Sequence, residues 1–172
     1  MSGIIDSVGS KSGIVGSDVY PAGHVVFVDQ ETLAGSSSQL KTFSGDFGTW
    51  FDSGLEISVS SANAAKGSKI LIHYSHAFGI SNGTASGQMH WKLYRTVPSG
   101  VSLEAKTYIG QQSTTAGVAR ITATGSVIDE SLGSGIHTYK LQYTSSSAGE
   151  ASGIYYNWYA SSINTIIAQV IV

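Results

Sequence analysis

Apolar and polar residues alternate with a period of two in run after run of this chain, and no long window carries the 3.6-residue period of a helix. Leu55, Ile57 and Val59 alternate with Glu56, Ser58 and Ser60. Ile70, Ile72, Tyr74, His76 and Phe78 fall on one face of the next run, and Met89, Trp91 and Leu93 on one face of the run after it. In a strand, residues i and i+2 share a face, so each run predicts a strand with one buried and one wetter side. The same reading gives His24–Val28 after a turn at Pro21–Gly23, a weaker strand through Ala119, Ile121 and Ala123, and a strong one through His137, Tyr139, Leu141 and Tyr143. Ile154, Tyr156 and Trp158 mark another. The last run, INTIIAQVIV over 163–172, is β-branched and apolar almost throughout, and such a segment needs a sheet to hold it. About eight strands separated by Gly, Ser and Asn predict an all-β chain: an antiparallel sandwich, barrel or jelly roll.

One hairpin invites a register. Gly79–Gly87 (GISNGTASG) is turn-forming and joins the strand around Ile72 to the strand around Trp91. With Phe78 opposite Gly87, Tyr74 faces Trp91, Ile72 faces Leu93 and His76 faces Met89, which keeps every large side chain on one face. These aromatics read as core. Tyr94, Tyr155 and Tyr159 point the other way and are the candidate binding aromatics.

Composition narrows the function classes. A chain of 172 residues fits one domain and can bury a real core. Charged residues make up 12%, about half the usual share, so Ser, Thr, Gly, Asn and Gln must cover the surface, which suits repetitive assembly. A net charge of −2, with Arg95 and Arg120 the only arginines, excludes the clustered cations that nucleic-acid binding requires. No run of apolar residues is long enough to span a membrane, and residues 1–16 lack the layout of a signal peptide. Action outside a cell would then require another exit, which release inside a virus particle supplies. With no cysteine, disulfides and thiolate metal sites are excluded.

The motifs that resemble reaction centres fail on geometry. His73 and His76 are three apart and diverge on a strand. His73 and His90 would share the hairpin's solvent face without a third ligand, so neither a metal nor another cofactor is expected. Asp129-Glu130, in VIDESLGSG, reads as a solvated turn, since glycosidase carboxylates must flank a sugar from two sides. No serine stands in a nucleophile elbow, and Gly9–Gly13 (GSKSG) lacks the glycine spacing of a phosphate loop. Asn82-Gly83-Thr84 is a formal glycosylation sequon that reads as a turn. The chain is not expected to be an enzyme.

The Gly/Ser-rich residues 1–16 form a separate unit: an extended arm ahead of a β domain over 17–172. Its composition gives little intrinsic order, yet Ile4, Ile5, Val8, Ile14 and Val15 are spaced apolar anchors that a linker would not need. Either a partner surface buries them or the arm packs on its own domain as an extra strand.

Ser7–Gly16 (SVGSKSGIVG) resembles the N-terminal signature of small structural proteins from tailed phages, aquatic ones in particular. In those chains a Gly-Ser-(Arg/Lys)-Ser/Thr-Gly-x-(Ile/Val)-Gly run precedes a Pro-Ala-Gly turn and a first strand, here Pro21-Ala22-Gly23-His24-Val25-Val26. The similarity continues through Ser53–Val59, Ser68–Ile72, Thr138–Tyr143 and the final strand, and so spans nearly the whole chain through short motifs. The resemblance implies a jelly-roll head of the trimeric tumour-necrosis-factor-like and complement-like kind, its last strand central and three subunits around an axis, with no catalytic residues. The chain departs from the pattern by ending in Ala168–Val172 (AQVIV) rather than an acidic-apolar sequence, so no terminal acidic role carries over. The expected function is a virion structural protein: a homotrimeric capsid decoration (cement) protein or a tail-appendage head. It would be assembled in the host cytoplasm and docked on other virion proteins through residues 1–16. The competing expectation is an adhesin module gripping a host glycan or receptor.

Overall fold

The computed structural model describes residues 22–34, 40–43, 49–81, 87–110, 118–145, 152–156 and 163–172. Among these, ten strands and one helical turn appear: β1 (Val25–Ala34), β2 (Leu40–Phe43), β3 (Phe51–Val59), α1 (Ser61–Ala64), β4 (Lys69–Ser81), β5 (Gly87–Val97), β6 (Val101–Gly110), β7 (Val118–Asp129), β8 (His137–Ser145), β9 (Ser152–Tyr156) and β10 (Ile163–Ile171). All strand pairings are antiparallel. One sheet runs β1-β10-β4-β7, and the other runs β3-β8-β5-β6. Together these eight strands make a jelly-roll sandwich. β4 is long enough to pair with β7 along its whole length on one side, while β10 and then β9 share its other side, and β2 extends β9.

The period-two pattern fills the space between the sheets. Ile70, Ile72, Tyr74, His76 and Phe78 of β4 and Ile166, Ala168 and Val170 of β10 face Leu55, Ile57 and Val59 of β3, Met89, Trp91 and Leu93 of β5, and Tyr139, Leu141 and Tyr143 of β8. Each large apolar side chain so buried contributes roughly 1.5–3 kcal/mol before entropy is charged against it. β10 lies between β1 and β4, and its alternate residues Asn164, Ile166, Ala168 and Val170 are buried in the core. Asn164 sits buried within it, its Oδ1 accepting from the Ala77 amide at 2.7 Å and its Nδ2 donating to the Leu33 carbonyl at 3.1 Å. It ties β10 to both neighbours.

The sandwich of about eight strands is as expected, with two departures in detail. β2 and β6 were not among the eight strands read from the sequence: β2 has four residues, too few to show a period, and β6 (VSLEAKTYIG) places Glu104 and Lys106 at an edge. The hairpin register is also overturned. β4 and β5 belong to different sheets, and Trp91 is paired with Tyr143 and Lys106 rather than Tyr74. Two strands that face each other across a sandwich bury the same alternate residues as two that lie side by side, so the burial pattern does not distinguish them.

His76 is fully buried, with its ring stacked on Phe78 at 4.2 Å between centroids. Backbone groups of Ser53 and Ala77 are near, but neither ring nitrogen has a hydrogen-bond partner. Burial therefore pushes the imidazole from the ordinary 6.5 down to about 4. Between these values the unfolded chain takes up a proton that the folded protein refuses, so stability is lost as pH falls from 6.5 towards 4. Urea unfolding is expected to show a loss of about 2 kcal/mol between pH 7 and pH 5 from this residue. The variant His76→Leu should lose correspondingly less over that interval; an unchanged slope would refute the assignment.

Candidate functional site

The two outer faces of the sandwich differ in chemistry. On the β1-β10-β4-β7 face, cross-strand register aligns Ile128, Leu71, Gln169 and Val28 in one row, Ser126, His73, Ile167 and Gln30 in the next, and Thr124, Ser75, Thr165 and Thr32 in a third. None of these twelve residues is an Asp, Glu, Lys or Arg. Val28 is 56% exposed, Ile128 50% and Ile163, further along β10, 71%. The Lys69–Glu130 pair, 2.9 Å apart, lies at the rim.

The outer face of β3-β8-β5 is polar and aromatic. Register places Asp52, Gln142 and Lys92 in one row, and Glu56, Lys140 and Tyr94 in the next. Asp52 and Glu56 are four positions apart on β3, while their partners are only two apart on β8, so the strand bulges between them. Gly54 at the bulge has φ +83°, a conformation that suits glycine, and the buried Ser53 Oγ accepts from the Leu55 amide at 3.1 Å. The bulge brings both carboxylates to the Lys140 ammonium, Glu56 at 2.9 Å and Asp52 at 3.3 Å. These two bonds, that to Glu56 foremost, raise the Lys140 pKa. Gln142 Nε2 donates to Asp52 Oδ1 at 2.6 Å. Beside them the Lys92 ammonium lies over the Trp50 ring at 4.2 Å and the Tyr94 ring at 4.6 Å, and burial lowers its pKa.

Of the candidate aromatics, Tyr94 is half-buried rather than freely projecting. Lys92 lies over its ring, and a Cβ on Gly100 would overlap its hydroxyl. Tyr155 lies in β9, paired with Leu40 and Gly79; its side chain, Tyr159 and the arm residues Ile4, Ile5, Val8, Ile14 and Val15 lie outside the described residues, as do Asn82–Thr84. His73 and His90 are in different sheets and do not share a face; His73 Nδ1 instead meets Ser126 Oγ at 2.6 Å. Among the described residues, no three His, Asp or Glu side chains gather as metal ligands, and no helix is long and apolar enough to cross a membrane.

Asp129 is not in a solvated turn. It is 2% exposed on the inner side of β7, where Arg95 Nη1 donates to its Oδ2 at 2.5 Å, Tyr139 Oη to the same oxygen at 3.0 Å, and the Ser131 amide to Oδ1 at 3.1 Å. Arg95 Nη1 also donates to the Ser131 carbonyl at 2.8 Å. Burial and then the carboxylate hold the Tyr139 phenol protonated well above its ordinary range. This cluster joins β7 of one sheet to β5 and β8 of the other at the point where the chain crosses between them, and every group in it is turned to structure. Glu130 alone behaves as read, exposed and paired with Lys69.

No protein-family model and no curated protein matches the chain. Among solved structures, it is similar to chains of infectious bursal disease virus: the Gt strain structure has a TM-score of 0.48 at 10% identity, covering 86% of this chain and 38% of that one. The crystal structure of the T13 viral particle gives 0.47 at 10%, covering 84% and 36%. The chain thus spans less than two fifths of the length of these viral chains. The Eiger TNF structure from S. frugiperda gives 0.41 at 11% identity, covering 84% of this chain and 93% of that one.

Proposed function

We propose that the chain is a virion structural protein, a homotrimeric phage decoration protein or tail-appendage head anchored through residues 1–16. The observation that carries this reading is a block of twelve aligned residues without an Asp, Glu, Lys or Arg on the outer face of β1-β10-β4-β7. A sheet face left in water ordinarily carries charged side chains, as the opposite face of this sandwich does. Twelve aligned residues without one, with Val28 and Ile128 half-exposed among them, fit a surface covered by further copies of the chain. The arm, with its five apolar anchors and its resemblance to tailed-phage structural proteins, supports attachment to a different virion component. A structural role also accounts for polar clusters committed to holding the two sheets together.

Light scattering of the purified chain is expected to give three times the monomer mass. The double variant Val28→Glu, Ile128→Glu should fall to monomer while keeping its strand-rich circular dichroism, because both side chains are exposed in the single subunit. A wild-type monomer at micromolar concentration, or a trimer indifferent to these charges, would sink the assembly reading. Deleting residues 1–16 should leave the trimer intact and abolish incorporation into particles; normal incorporation would show that the arm is not the anchor.

A further inference from the structure

The geometry points to the outer face of β3-β8-β5 as a binding site for an acidic saccharide, one bearing a carboxylate or sulfate, with Lys92 as its anion contact. The site is independent of the assembly face, which lies on the opposite sheet.

The argument begins with Lys92. Lys69, Lys106 and Lys140, the other lysines with described side chains on strands, each have a carboxylate within 3 Å. Lys92 has instead the faces of Trp50 and Tyr94. Aromatic faces hold an ammonium without neutralising it, so among the described residues its positive charge is not matched by an ion pair. An anion placed there gains a charge-assisted bond whose desolvation the two rings have already partly met.

The neighbours favour a sugar over a simple anion. Trp50 and Tyr94 offer apolar edges for the C–H face of a pyranose. Asp52, 50% exposed at its side chain, and Gln142 supply acceptors and donors for hydroxyls, and Lys140, which Asp52 shares with Glu56, offsets part of the carboxylate charge beside the ligand. Asp52 stands two strands from Lys92, about 10 Å, which spans one to two sugar rings. The β3 bulge is what gives this face its built character, because it aims Asp52 and Glu56 at one ammonium and leaves Lys92 to the rings. Tyr94 is fixed by its packing against Gly100, so the platform costs little entropy on binding.

The experiment uses the full-length chain on a glycan array with neutral and acidic members, followed by calorimetric titration with 3′-sialyllactose, a galacturonic acid trisaccharide and lactose. Binding to at least one acidic glycan is expected, with lactose weaker by about tenfold or more and affinity falling as salt is raised. Lys92→Gln should lower the affinity about tenfold, Lys92→Arg should keep most of it, and both should leave the oligomeric mass unchanged. Asp52→Asn, on an exposed position, provides a second variant and should weaken binding without altering the melting midpoint. The proposal is overturned if no acidic glycan binds, if Lys92→Gln and Asp52→Asn bind like the wild type, or if lactose binds as well as the acidic sugars. A poly-glutamate peptide binding equally well would overturn the saccharide assignment. Trimer formation is unaffected by any of these outcomes, so failure here and failure of the assembly reading are separable.

Discussion

Asp129→Ala is expected to destabilise the fold by about 3–5 kcal/mol, because it leaves the Arg95 guanidinium buried without its counter-charge and the Tyr139 hydroxyl without an acceptor. Arg95 is 4% exposed and cannot turn to water without opening the sandwich. In a chain of this size the loss corresponds to a fall of roughly 10–15 °C in melting midpoint. The adjacent Glu130→Ala is the internal control. Its partner Lys69 is exposed, so this change should stay within about 0.5 kcal/mol. Thermal melts of the two variants side by side decide the matter: similar small shifts would mean that Asp129 is solvated after all.

Trp91→Ala is expected to cost about 3–5 kcal/mol, since the ring is 6% exposed and its removal leaves a large cavity between the sheets. The neighbours that would have to collapse into that cavity belong to two sheets, each held in register by its own ladder, so relaxation is small. Tyr74 on the far sheet is itself fixed, its hydroxyl donating to Glu104 on β6 at 2.5 Å. The variant should lose roughly 10–15 °C of melting midpoint and a buried, blue-shifted component of tryptophan fluorescence. A midpoint equal to that of the wild type would place Trp91 at the surface.

The alternation that marks Leu55–Val59, Ile70–Phe78, Met89–Leu93 and His137–Tyr143 is local information, and the buried face of each strand follows from it directly. The all-β class and the core residues were therefore legible, as was the terminal strand's place inside a sheet. Which strand lies beside which was not. Tyr74 and Trp91 occupy equivalent positions on buried faces, and whether they meet within one sheet or across two depends on the direction the chain takes after Ser81. The same limit hid the sites. Tyr94, two residues on, shares a strand face with Lys92, but the second ring over it belongs to Trp50 from a distant part of the chain, and the partner of Lys140 is set by a bulge on another strand. Asp129 was misread because an acidic pair beside serine and glycine has the composition of a turn; only the arrival of Arg95 and Tyr139 from the other sheet makes its burial tolerable. Period and composition act between near neighbours in the chain and so determined which side of each strand is buried. The Arg95–Asp129 and Lys140–Asp52 pairs, the Trp50 ring over Lys92 and the rows across β1-β10-β4-β7 join residues far apart in sequence, and the tertiary structure alone decided them.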